Sequence, residues 1–190
     1  MKAVYRSLLL LCVSLGANSA DLVIDGSGQL LGATDGDVGG TLYDVQFVEG
    51  SCNSLFNNCI EFAFTSLANT TVASEALLDQ VLVGVFDFDP TLTYGIEQTN
   101  GPFLGQIWTP YSLVGAHVLY SGIQNGNGSD TVFNTQISAV HSTADREIAV
   151  YAMLTVSGST LAEGNVPMMP FLLTAFLSLT LIAIGSKKSH

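Results

Sequence analysis

Three short acidic segments of the chain carry side chains that could hold a divalent cation. They are Asp35-Gly36-Asp37, Asp87-Phe88-Asp89 and the oxygen-rich stretch from Asn125 to Asp130. Proteins bind Ca²⁺ through carboxylate, amide and backbone oxygens, so the candidate ligands are Asp35, Asp37, Asp87, Asp89 and Asp130. The spacing fits no established calcium loop, and Asp and Asn are frequent in turns, where their side chains bond to nearby backbone groups. We therefore expect turns at all three segments, and calcium is the one possible cofactor.

The sequence carries no compact catalytic motif. It lacks a Gly-x-Ser-x-Gly nucleophile, a phosphate-binding loop and a dinucleotide fingerprint. His117 falls within a predicted strand, and His141 directly follows one. Two carboxylates can hydrolyse a glycosidic bond, but such a pair is defined by its separation in space. We expect a protein without enzymatic activity and keep a secreted, carboxylate-dependent hydrolase as an alternative.

Two aromatic residues in a loop-rich part of the chain are candidates for ligand stacking. Trp108 and Tyr111 belong to the stretch Trp108-Thr109-Pro110-Tyr111. Such rings can stack on a sugar or anchor a partner, and they can equally fill a core beneath a long loop. Both interpretations stay open, and a matrix polysaccharide is a possible partner.

Cys52 and Cys59 are predicted to form a disulfide. They are the only cysteines outside the N-terminal segment, where Cys12 is found. An even pair in an exported domain most simply forms a disulfide. Zinc is the alternative, but no histidine lies nearby to complete a four-ligand site.

Charge is distributed very unevenly along the chain. The chain has 16 Asp and Glu residues and only 5 Lys and Arg residues. All the acidic residues fall between Asp21 and Glu163, where Arg146 is the single basic residue, so this region carries a net charge of 1 − 16 = −15. A surface of that sign repels phosphate backbones, which argues against nucleic-acid binding.

The central region reads as a β-rich domain carrying one helix. Alternation of apolar and polar residues predicts strands, and the segments concerned are 22–24, 29–33, 41–49, 61–65, 113–120, 131–140 and 147–156. Residues 71–83 contain no Gly or Pro, and Ala73, Leu77 and Val81 form an apolar stripe at helical spacing. We predict an α+β, mainly β fold: an antiparallel, sandwich-like domain with one packed helix. The domain spans 21–156, and a polar linker follows at 157–165.

The N-terminal segment 1–20 has the features of a secretory signal peptide. Lys2 and Arg6 precede the apolar run from Leu8 to Leu15, and small residues lead up to Ala20. The expected mature chain begins at Ala20 or Asp21.

The C-terminal segment 166–190 has the features of a membrane anchor. Val166-Pro167 opens it, an uncharged run extends from Met168 to Gly185, and Lys187 and Lys188 follow. Such a run is long enough for a transmembrane helix across one hydrocarbon core. The two lysines would remain on the cytoplasmic side, which places the acidic domain outside.

Taken together, these segments resemble the PEP-CTERM class of proteins, which exosortases sort. Val166-Pro167 stands at the start of the motif, Met168 occupies the position of the family's Glu, and Lys187-Lys188 replaces an Arg-rich end. The resemblance implies that an exosortase-type protease recognises the tail in the inner membrane of a Gram-negative bacterium. It also implies that the tail is removed and the domain released to the cell surface or extracellular matrix.

The central domain is similar to a recurring domain of such proteins that has no known activity. The similarity rests on Asp35–Phe47 (DGDVGGTLYDVQF), Ala76–Val81 (ALLDQV), Asp87–Thr93 (DFDPTLT) and Thr109-Pro110-Tyr111. We therefore expect an exported cell-surface or matrix protein. The alternative is a permanently anchored ectodomain that binds calcium or carbohydrate.

Overall fold

Seven strands of the protein form one mixed sheet. The computed structural model describes residues 19–97, 104–126 and 130–158, all within the compact unit Met1–Ser159, whereas a second unit, Thr160–His190, lies outside the described residues. The strands are β1 (Asp21–Ile24), β2 (Leu30–Val38), β3 (Thr41–Val48), β4 (Leu104–Val114), β5 (His117–Gly126), β6 (Thr131–Ser138) and β7 (Ala149–Val156). Their order across the sheet is β1-β2-β3-β7-β4-β5-β6.

The last strand, β7, joins two antiparallel groups of strands into this sheet. It pairs antiparallel with β3 on one side and parallel with β4 on the other. Every other neighbouring pair of strands is antiparallel. Because β7 is central, its residues Ala149, Val150 and Tyr151 are fully buried.

Three helices and two 3₁₀ turns complete the described structure. The helices are α1 (Cys52–Leu55), α2 (Leu67–Gln80) and α3 (Val85–Phe88), and the 3₁₀ turns are Pro90–Leu92 and Thr143–Asp145. The helix α2 begins after Ser66, whose side chain accepts a hydrogen bond from the Asn69 backbone N–H at 3.3 Å. Such N-terminal caps satisfy backbone donors that the first helical turn leaves unpaired.

Helix α2 covers one face of the sheet. Its residues Ala73 and Leu77 are buried against apolar side chains from alternate positions of the strands. The strand residues of this cluster are Leu30, Ala33, Val45, Phe47, Ile107, Ile123, Val150, Ala152 and Leu154. This face therefore holds the main core of the domain.

The opposite face of the sheet is covered by the segment around the disulfide. Cys52 and Cys59 are bonded with their Cα atoms 5.4 Å apart, and both are buried with Phe56. They pack with side chains of the alternate strand positions, namely Trp108, Val118, Tyr120, Ala149 and Tyr151. A one-turn helix and a short loop thus replace a second sheet.

The predicted fold class is confirmed at the level of an α+β, mainly β domain. The arrangement of its strands differs from the expected antiparallel sandwich, because the described strands form one sheet with a parallel β4–β7 pair. The predicted packed helix is confirmed as α2, although it begins at Leu67 and ends at Gln80 instead of spanning 71–83. The predicted disulfide is also present.

Three local predictions are wrong. The predicted strand 113–120 contains the turn at 115–116, because β4 ends at Val114 and β5 begins at His117. Residues 61–65 alternate in the manner of a strand, but their backbone is irregular and forms no strand. The apolar residue Phe64 is buried by packing against Tyr43 of β3 instead. The stretch 104–111, expected to be loop-rich, belongs to β4. Pro110 is tolerated there because the β4–β5 register shifts between Pro110 and Ser112.

The two terminal predictions fall on residues beyond the described part. The leader, apart from Ser19 and Ala20, and the whole segment from Val166 to Lys188 lie outside it. Within residues 19–97, 104–126 and 130–158, no helix has the length and apolar character needed to cross a membrane.

Candidate cation site

Two of the predicted calcium ligands serve as local turn residues. The Asp37 carboxylate accepts a hydrogen bond of 2.6 Å from the Gly40 backbone N–H at the β2–β3 turn. The Asp89 carboxylate accepts one from the Thr91 N–H at 3.1 Å and another from the Thr91 hydroxyl at 2.6 Å. These contacts confirm the turn interpretation for both residues.

A third predicted ligand, Asp35, lies at an irregularity of β2. Its backbone adopts a φ of 57°, and the β2–β3 register shifts between Ala33 and Gly36. Its N–H donates to Asp44 Oδ1 at 3.1 Å, while its side chain is exposed. Asp tolerates this left-handed conformation better than most residues, which accounts for its presence there.

Asp87 and Asp130 are brought together from separate parts of the chain. Asp87 lies on α3 and is half-buried, and Asp130 is exposed immediately before β6. The Asp87 carboxyl group is close enough to Asp130 to affect it electrostatically. Burial raises the pKa of Asp130 and the nearby Asp87 charge raises it further, against a lowering by the Gly126 N–H, which donates to Asp130 Oδ1 at 3.3 Å.

The position of Asp87 is set by its neighbour Phe86. Phe86 is 4% exposed and belongs to the main core beside α2. Gly84 precedes the helix with a φ of 62°, a conformation that glycine adopts without steric cost. Because Phe86 is held in the core, the next residue, Asp87, is fixed at the border of that core, where it is half-buried.

Asn125 connects the end of β5 to α3. The side chain is 1% exposed, and its Nδ2 donates to the Phe86 carbonyl oxygen at 2.7 Å. Its Oδ1 is buried and accepts no hydrogen bond. Sequence reasoning included Asn125 in an oxygen-rich stretch but did not select it as a ligand, because nothing in the sequence reveals its burial.

Trp108, one of the two predicted stacking residues, is part of the core. It is 1% exposed, its ring stacks on Tyr120 with centroids 4.7 Å apart, and the Arg146 guanidinium lies 5.7 Å from its ring centroid. A sugar ring therefore has no access to Trp108 in this structure. Burial raises the pKa of Tyr120 to about 12, against a lowering by Arg146.

Tyr111 is half-buried at the β4 irregularity, and its predicted stacking role stays a prediction.

A second acidic pair, Glu49 and Glu97, was not predicted from the sequence. Burial raises the pKa of Glu49, and the negative charge of Glu97 raises it further. The Glu49 side chain packs against Gly95: a Cβ atom added to Gly95 would lie 2.9 Å from the Cγ of Glu49. The two residues are far apart in the chain, so only the fold brings them together.

Across the described residues, no three His, Cys, Asp or Glu side chains are arranged to hold a metal ion together. The group of Asp87, Asp130 and Asn125 contains two carboxylates, and its third oxygen belongs to an amide. Comparison with known proteins adds no assignment, because no family model, curated protein or solved structure matches this chain.

Proposed function

We propose that this chain is an exported cell-surface or extracellular-matrix protein without enzymatic activity, delivered by its leader and sorted through its C-terminal segment. The observation that carries the proposal is the buried Cys52–Cys59 disulfide. Disulfides persist in oxidising compartments such as the periplasm and the extracellular space, and they are rare in the cytosol. A buried disulfide in the core therefore supports export of this domain.

The distribution of charge supports the same proposal. The basic residues Lys2 and Arg6 precede the leader's apolar run, and Lys187 and Lys188 follow that of the tail. The domain between them carries Arg146 as its single basic residue. High net charge keeps a protein soluble and separated from other copies, as a domain released outside the cell requires.

The second candidate function is a permanently anchored ectodomain that binds calcium. The observation that favours it is the proximity of Asp87 and Asp130 at the junction of α3 and β5, where Asn125 also has a buried oxygen without a hydrogen-bond donor. The same site would serve a released domain, so the two candidates differ in what happens to the tail. The intact mass of the recovered protein shows whether the C-terminal segment is retained, and so distinguishes the two candidates.

Export is tested by producing the full chain in a Gram-negative host and labelling thiols in each cell fraction after unfolding. The matched control lacks residues 2–19 and is expected to stay in the cytoplasm with both Cys52 and Cys59 reactive. We expect the full chain in the envelope or medium, with both cysteines protected until reductant is added. Recovery of the full chain in the cytoplasm with its leader intact and both thiols free would contradict the proposal.

A further inference from the structure

Asn125 presents an acceptor that the described protein leaves unused at the end of β5. Its amide nitrogen is held by the Phe86 carbonyl oxygen at 2.7 Å, which fixes the orientation of the amide group. The amide oxygen is then buried without a donor. A buried polar atom without a partner destabilises the folded state, so an unpaired oxygen held in this way points to a ligand.

The face of the sheet from which Asn125 projects follows from the alternation of side chains along β5. Ser121 bonds to Ser74 of α2, and Ile123 packs in the core cluster that contains α2, so both project onto the helical face. Successive side chains of a strand alternate between faces, and Asn125 therefore projects onto the same face. Its contact with Phe86 places the amide against α3.

The two carboxylates are tied to the same junction by the backbone. Asp130 is held by the N–H of Gly126, the residue that follows Asn125. Asp87 follows Phe86, whose carbonyl oxygen accepts a hydrogen bond from the Asn125 amide. The Asp87 carboxyl group is close enough to Asp130 to affect it electrostatically. The three side chains differ in exposure: Asp130 is exposed, Asp87 is half-buried and Asn125 is buried.

No protein cation among the described residues balances these two carboxylates. Arg146 is the single Lys or Arg of residues 19–158, and it lies over Trp108 and donates to His141 Nε2 at 2.7 Å. Trp108 belongs to the cluster on the opposite face of the sheet from α2. His117 stands at the other end of β5 from Asn125.

We propose that Asp87, Asp130 and Asn125 bind one Ca²⁺ ion at the junction of α3 with the end of β5. The ligands are hard oxygens, which suit Ca²⁺ better than softer transition metals. Two carboxylates and one amide supply at most five oxygens, and water completes the coordination shell. So few protein ligands place the dissociation constant at about 10⁻⁴–10⁻³ M, the range of extracellular modules. Occupancy at that affinity rests on the proposed export, whereas the existence of the site does not.

The site is tested by calorimetric titration of CaCl₂ into the full chain purified in detergent, together with thermal unfolding in CaCl₂ and in chelator. We expect one Ca²⁺ per chain and a midpoint that rises with CaCl₂, because a ligand of the folded state raises its stability. Asp130→Asn and Asp87→Asn should each weaken binding about tenfold or more. Asp79→Asn, a matched charge change at an exposed position of α2, should leave binding unchanged.

The same variants separate a cation site from a merely repulsive acidic pair. In chelator, Asp130→Asn should unfold at a higher temperature than the wild type, because one of two neighbouring like charges is removed. In millimolar CaCl₂ the order should reverse. An unchanged midpoint in CaCl₂, or an equal response of the wild type and Asp130→Asn, would overturn the proposal.

Since Asp130 is exposed, its substitution keeps the test valid even where Asp87→Asn fails to fold. The purified protein binds or does not bind independently of where the cell sends it, so this result is separate from the export test.

Discussion

The hydroxyl groups of Ser74 on α2 and Ser121 on β5 lie 3.1 Å apart in the fully buried interface between helix and sheet. Ser74 Oγ also lies 3.4 Å from the Ser121 carbonyl oxygen. Gln80 of α2 exchanges two hydrogen bonds with the Asp37 backbone of β2, whereas the core between helix and sheet consists of apolar contacts, which have no direction. The hydroxyls of Ser74 and Ser121 join α2 to β5. This polar pair therefore fixes where along β5 the helix packs.

Ser74→Ala should lower the free energy of unfolding by about 1–3 kcal/mol, because the buried Ser121 hydroxyl loses its side-chain partner. The double variant Ser74→Ala with Ser121→Ala should be less destabilised than the sum of the two single variants, since neither polar group remains unpaired. Urea unfolding followed by circular dichroism measures all four proteins. Strict additivity would show that the two hydroxyls are not coupled.

Removing the Cys52–Cys59 disulfide should destabilise the domain. The bond closes a short loop, with a sequence separation of 7, so the expected loss is about 2 kcal/mol. Adding reductant should lower the urea midpoint of the wild type. It should leave the midpoint of the double variant Cys52→Ala, Cys59→Ala unchanged, and an equal effect of reductant on both proteins would contradict a structural role for the bond.

Glu49→Gln should stabilise the domain at neutral pH. The pKa of Glu49 is raised in the folded state, so folding favours the protonated carboxyl group. The free energy of unfolding therefore falls as the pH rises through that pKa. Glutamine keeps the uncharged form at every pH. We expect a gain of at most about 1 kcal/mol at low salt, the usual range for solvent-screened charges.

The gain from Glu49→Gln should disappear well below pH 4.5, the ordinary value for a glutamate, where the wild type is protonated as well. Glu75→Gln, an exposed change of the same charge on α2, serves as the control. Urea midpoints measured across the pH range provide the comparison. A gain that persists unchanged at low pH would show that the effect of Glu49 is not electrostatic.

Sequence patterns identified most of the elements because the signals concerned are local. The alternation of Tyr43, Val45 and Phe47 places Val45 and Phe47 in the core, and the stripe of Ala73, Leu77 and Val81 is the buried face that begins in α2. The helix was predicted to begin at residue 71 instead of Leu67, because its first turn and its N-cap, Ser66, lie before the apolar stripe. Strand β4 was missed because Pro110 reads as a loop signal, which only the β4–β5 irregularity reconciles with a strand.

The candidate site could be predicted only in part. Its acidic members Asp87 and Asp130 are visible in the sequence as possible ligands. Their meeting depends on α3 packing against the end of β5, and the role of Asn125 depends on its burial. The pair of Glu49 and Glu97 gave no signal at all, because contacts between distant parts of a sheet protein follow from strand order.

The intact mass of the native protein recovered from envelope and medium tests the central claim most directly. The account predicts a chain that begins at Ala20 or Asp21, carries Cys52 and Cys59 in oxidised form and has lost its C-terminal segment. A chain that retains Met1 with both cysteines reduced would contradict export. An exported chain that still ends in Ser189-His190 would contradict sorting and favour the anchored ectodomain.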